Sequence, residues 1–96
     1  MRIHLASTVV GEPQTVRVEV DRNGHAVLGA RASINWSMND MPMVGGDTMM
    51  LTPAEPGFYE QRGFVFSMAG SWHARVVIRE NASTTRTAMF AVTVAD

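Results

Sequence analysis

Apolar side chains recur at every second position over most of this chain, and that period of two constrains the fold to strands. In "QTVRVEV" (14 to 20), Val16, Val18 and Val20 point one way while Arg17 and Glu19 point the other. "DRNGH" follows, with Asn23-Gly24 suited to positive φ and so to a tight turn. From Leu28 the alternation resumes, with Leu28, Ala30, Ala32, Ile34, Trp36 and Met38 on one face and Arg31, Ser33, Asn35 and Ser37 on the other. Trp72, Ala74, Val76 and Ile78 alternate with His73, Arg75, Val77 and Arg79, and Phe90, Val92 and Val94 repeat the pattern near the end. No segment combines helical spacing with a cap and a stop.

Between Phe58 and Phe66 the period slips, because Tyr59 and Phe66 share a face only if one residue is inserted between them. Gly63 is the natural place for that bulge. With "RIHLASTVV" and "TMMLTPA" as shorter strands, the chain holds about seven strands separated by turn signals. The expected fold is all-β: an immunoglobulin-like antiparallel β-sandwich forming a single domain over 1–96. Trp36, Trp72, Tyr59 and the phenylalanines supply the bulk of its core, since no disulfide can.

The 96 residues contain no cysteine, which rules out disulfides, zinc-thiolate centres, iron-sulfur clusters and cysteine nucleophiles within them. A net charge of -1 with scattered acids and bases gives no basic stripe for phosphates, so no nucleic-acid partner is expected. Hydrophobic residues at 46% and charged residues at 18% suit a globular domain rather than a disordered one. No apolar run reaches the ~20 residues of a membrane span. "MRIHLASTVVG" does not read as a secretory signal, so if the protein is exported or anchored, the segment that does it lies outside these residues. His4, His25 and His73 lie in unrelated segments, no serine elbow precedes a helix, and no carboxylate pair is spaced for acid/base work. The expected protein is not an enzyme.

Methionine is where the chemistry concentrates. Five of the eight methionines fall in "NWSMNDMPMVGGDTMML" (35 to 51), which Pro42, Gly45 and Gly46 interrupt. Met38 reads as core on the Trp36 strand, Met89 reads as core inside the last strand, and Met49 and Met50 straddle a strand with one side chain out. Met41 and Met43, spaced M-P-M in an irregular segment, have no packing role. Two thioethers two residues apart can reach one ion, and neutral soft sulfur suits Cu(I) or Ag(I). Met38, Met49, Met50, Met68 or a histidine could complete the set. A docking patch of adaptable methionines is the competing reading.

The order of elements resembles the YtkA-like and FixH-like extracytoplasmic domains of bacteria. "FSMAGSW" carries the most specific part, with Phe66, Met68, Gly70 and Trp72 matching an F-x-M-x-G-x-W pattern after a "GFY" that matches G-x-Y. Gly29-Ala30, the alternating strand and the M-P-M segment match as well, and the likeness covers roughly 14–94. The resemblance implies a small β-sandwich outside the cytoplasmic membrane, in the periplasm or on the membrane's outer face, usually tethered. It also implies copper handling or assembly of haem-copper oxidases, with a metal-handling membrane protein or copper chaperone as partner. Met41, Met43 and Met68 fall on the family's methionine-bearing positions. The loop has no histidine of its own, so a mixed Met/His site would draw on His73 or another distant residue. The alternative is an efflux-adaptor or assembly-factor docking domain with no metal site. Gly70 would then serve a tight turn, with Trp72 plugging the sandwich against Phe66.

Overall fold

A computed structural model of the protein describes residues 1–38 and 48–96. The strands are β1 (Arg2–His4), β2 (Gln14–Glu19), β3 (Asp21–Arg22), β4 (His25–Ala26), β5 (Arg31–Met38), β6 (Thr48–Met50), β7 (Thr52–Pro53), β8 (Phe58–Phe64), β9 (Gly70–Arg79) and β10 (Thr85–Val94). They form one sheet in the order β1-β2-β8-β7, a second in the order β10-β9-β5-β6, and the small hairpin β3-β4. Every ladder is antiparallel, and one parallel bridge joins Val9 to Ala95.

The strand count exceeds the expected seven for a local reason. "TMMLTPA" is not one strand: β6 pairs with β5 in the second sheet and β7 with β8 in the first. Between them lies buried Leu51, whose N–H donates to Ala32 O at 2.8 Å. The β3-β4 hairpin supplies the other two, turning on Asn23 (φ 52) and Gly24 (φ 79), the consecutive positive φ values that its sequence suggests.

The two inner faces meet in one core. The first sheet contributes Val16, Val18 and Tyr59, and the second Ala32, Ile34, Trp36, Met38, Trp72, Ala74, Val76 and Ile78, all buried. Phe66, in the β8–β9 connection, lies at the centre of an aromatic cluster with Trp36 (5.2 Å), Phe64 (4.8 Å) and Trp72 (5.5 Å). Trp36 also stacks on Phe64 at 4.7 Å, and its Nε1–H donates to Gln61 Oε1 at 3.2 Å, tying β5 to β8 across the sandwich. Buried Tyr59 makes a second tie: its hydroxyl donates to Val27 O (2.9 Å) and accepts from Ala30 N (3.2 Å).

The bulge lies where the slip in period requires it. Gln14 pairs with Phe64 and Val16 with Gln61, so β8 spends one residue more than β2 over the same interval. Gly63 has φ 68 with open space where a Cβ would stand. A side chain there would therefore cost backbone strain rather than a clash, roughly 1–2 kcal/mol.

Two expected core residues lie elsewhere. Leu28 is exposed, because Gly29 (φ 68) turns the chain before Ala30 and puts Val27 inside instead. Met89 is 58% exposed, because Phe90 and Val92 on its own strand face the core and leave it on the outer side opposite Arg75.

Candidate methionine site and the sheet faces around it

The described methionines do not share one place. Met38 is buried at the end of β5, opposite Trp72. Its terminal methyl lies 2.8 Å from where a Cβ on Gly70 would stand. Gly70 has φ 138, a conformation side-chain-bearing residues rarely adopt, so the glycine seats Met38 rather than making a turn alone. Met68 lies in the β8–β9 connection, 40% exposed, and its carbonyl accepts the Trp72 Nε1–H at 2.9 Å. Trp72 thus both plugs the core against Phe66 and pins the backbone that presents Met68.

Met49 and Met50 differ from the expectation of one in and one out. Met50 pairs with Ser33 and shares its outer side, 63% exposed, whereas Met49 is on the side of buried Ile34 yet is 48% exposed. The cause is the edge: β6 is three residues long and ends the sheet. His73 is half-buried on the outer face between Ser37 and Ala91. Ser33 and Ser37 are four residues apart on β5, so the rows of Met50 and His73 are separated by roughly 13 Å. Met41 and Met43 lie outside the described residues. Among the described residues no three histidine or carboxylate side chains gather as a metal-binding group.

The charges are distributed unequally between the two outer faces. On the first sheet most are matched: His4 hydrogen-bonds Glu19 (3.1 Å), Arg17 meets Glu55 (3.4 Å) and Glu60 (3.5 Å), and Arg62 meets Glu60 (3.1 Å), while Arg2 on β1 has no ion pair among the described residues. On the second sheet the outer positions of β5, β9 and β10 carry Arg31, Arg75 and Arg79 among serines, threonines and an alanine, with Asn35, His73, Val77 and Met89. None of those three arginines has an ion pair among the described residues. The sequence put each on a polar strand face, but only the β5–β9 pairing brings them together.

Near one end of the sandwich Glu80 binds Arg22 through two hydrogen bonds (2.5 and 3.1 Å) and Arg86 through one (2.9 Å). The hydrogen bond from Arg22 is the main cause holding the Glu80 carboxyl below the usual carboxylate range, against some desolvation, with the charges of Arg86 and Arg22 adding. The same bond raises Arg22. A carboxyl lowered on folding contributes stability above its unfolded value near pH 4.5 and loses it as pH falls through the folded value. Glu80→Gln is therefore expected to be less stable than the parent at neutral pH, with the gap closing on acidification. Urea midpoints at about pH 7 and about pH 3 check this, and a gap that does not shrink in acid would reject it.

An all-β antiparallel domain whose solvent-facing side chains include several methionines is the class that fold and surface define. The sequence profile of the YtkA-like family matches residues 1–77, and the chain belongs to that family. The match starts earlier and stops sooner than the 14–94 likeness, and it is to the YtkA-like family, with FixH-like membership not shown. Neither the curated proteins nor the solved structures give a match to this chain.

Proposed function

We propose that this YtkA-like domain is a non-catalytic, extracytoplasmic copper-handling module. It binds Cu(I) through Met41 and Met43 with a further thioether from Met49 or Met50, and passes the ion to a metal-handling membrane protein or copper chaperone. The observation that supports this reading is the placement of β6. The strand that follows the M-P-M segment presents two methionines whose thioethers stay largely in solvent, 48% and 63% exposed, where hydrophobic packing gives them little to do. Thioethers remain ligands at any pH, and with no cysteine in the sequence they are its soft donors. Met38 contributes to packing rather than to this set. Met68 and His73 are alternative third ligands, each approached from a different surface of the sandwich.

Ag(I) is the test ion. With the methionine methyls observed by NMR, titration is expected to move Met41, Met43 and one of Met49 and Met50, and to leave Met38 and Met89 in place. Unchanged signals for the first three in folded protein would end the metal reading. The interaction-module alternative draws support from the outer face of the second sheet, where Arg31, Arg75 and Arg79 have no ion pair among the described residues. It predicts that Met41→Leu/Met43→Leu keeps partner binding, because hydrophobic volume survives without the thioethers, and metal binding retained in that variant would point to other ligands.

A further inference from the structure

We propose that the outer face of the β10-β9-β5-β6 sheet docks an acidic protein surface, with one partner carboxylate seated between Arg31 and Arg79. This does not depend on a bound metal.

Arg31 and Arg79 are direct cross-strand partners, both exposed. Like charges placed opposite one another on a sheet repel, so the fold carries a cost here that an anion between them would remove. They border a hollow of about 290 Å³ with Gly29, Asn81 and Glu80. Glu80 does not neutralise them, because its two oxygens are taken by Arg22 and Arg86. Arg75 borders a second hollow of about 310 Å³ with Ser33, Asn35, Thr48 and Val77. No aspartate or glutamate stands at a described outer position of the four strands, while on the first sheet Glu19, Glu55 and Glu60 answer His4, Arg17 and Arg62 and leave only Arg2 without an ion pair among the described residues.

The chemistry of the face selects the occupant. Arg75 and Arg79 are four residues apart on β9, roughly 13 Å, farther than one phosphate can bridge but suited to carboxylates spaced along a protein surface. Val77 stands between them, and Met50 and Met89 flank it through the rows Thr87–Val77–Ser33–Met50 and Met89–Arg75–Asn35–Thr48. Apart from Asn35 and half-buried His73, the rest is serine, threonine and alanine, a low surface that a flat protein face can meet. No tryptophan, tyrosine or phenylalanine stands at a described outer position of this sheet to enter a lipid headgroup layer, as a membrane-binding face would require. A second copy presenting the same face would be repelled.

The probe is a synthetic glutamate-rich peptide, titrated into the isotopically labelled protein and followed by backbone amide shifts. Shifts are expected on β5 and β9 and to fade as salt approaches about 0.15 M, where charges are screened over about 8 Å. Arg31→Gln/Arg79→Gln is expected to weaken binding about tenfold, while Arg2→Gln/Arg62→Gln, an equal change in net charge on the first sheet, changes it less than about twofold. All four positions are exposed, and the amide spectrum confirms that each variant is folded. Equal losses in the two double variants would reduce the effect to net charge and overturn the proposal. So would shifts confined to the first sheet, binding of phosphatidylglycerol vesicles in place of the peptide, or saturation by inorganic phosphate that blocks it. Met41→Leu/Met43→Leu is expected to bind the peptide unchanged, which separates this result from the fate of the copper reading.

Discussion

Phe66→Ala is expected to lower the unfolding free energy by about 3–5 kcal/mol, the usual cost of removing a fully buried aromatic ring. Phe66 has no exposed surface and makes edge contacts with Trp36, Phe64 and Trp72. Its removal strips all three of a partner at once. The cavity cannot collapse easily, because Trp36 is anchored to Gln61 and Trp72 to the Met68 carbonyl by their indole N–H groups. The backbone carbonyl of Phe66, which alanine retains, accepts the Gly11 N–H at 3.1 Å, so the expected loss is that of the ring and not of this bond. For a domain of this size total stability is on the order of 5–15 kcal/mol, so a large part of it is at stake. Urea denaturation is the measurement. If Ala leaves too little folded protein, Phe66→Leu, which keeps most of the volume, gives a smaller loss in the same direction. A loss below about 1 kcal/mol for alanine would mean that the aromatic cluster is not what joins the sheets.

Much of this fold was legible in single residues. The alternation of Val16 and Val18, and of Trp72 through Ile78, gave the inner faces directly, because period two fixes which side of a sheet a residue occupies. The Gly63 bulge followed from the mismatch between Tyr59 and Phe66. What failed did so at strand ends and edges, where the alternation loses its meaning. Leu28 was misplaced because a positive φ at Gly29 resets the parity, and Met49 because an edge strand exposes even its inward side. Strand pairing was not legible at all: nothing in the local pattern of Arg31 or Arg79 says that the two meet. The candidate metal residues were legible by type, with only Met41 and Met43 lacking a packing role, and not by arrangement. The structure spreads Met38, Met49, Met50, Met68 and His73 over core, edge, loop end and outer face.

Gly70→Ala is expected to cost about 1–3 kcal/mol, and its partner Met38 decides how that cost divides. One part is backbone: φ 138 disfavours any side chain whatever the surrounding space. The other part is contact, because an added Cβ would stand 2.8 Å from Met38 Cε. That methyl is the far end of a flexible side chain, so the contact part should be the smaller. A double-mutant cycle separates the two. Met38→Ala alone opens a cavity and destabilises, by about 2–5 kcal/mol for a buried methionine. In the Met38→Ala background the added methyl of Gly70→Ala has room, so the second substitution should cost less than it does in the parent. The residual cost is the backbone strain. Coupling near zero would mean that Met38 moves aside freely and that the glycine is there for its φ alone. The same pair bears on the copper reading. Met38→Leu keeps the packing volume over Gly70 while removing sulfur, so it should leave the Ag(I) response of Met41, Met43 and the β6 methionines intact. A lost response would draw Met38 into the ligand set and require its side chain to leave the core.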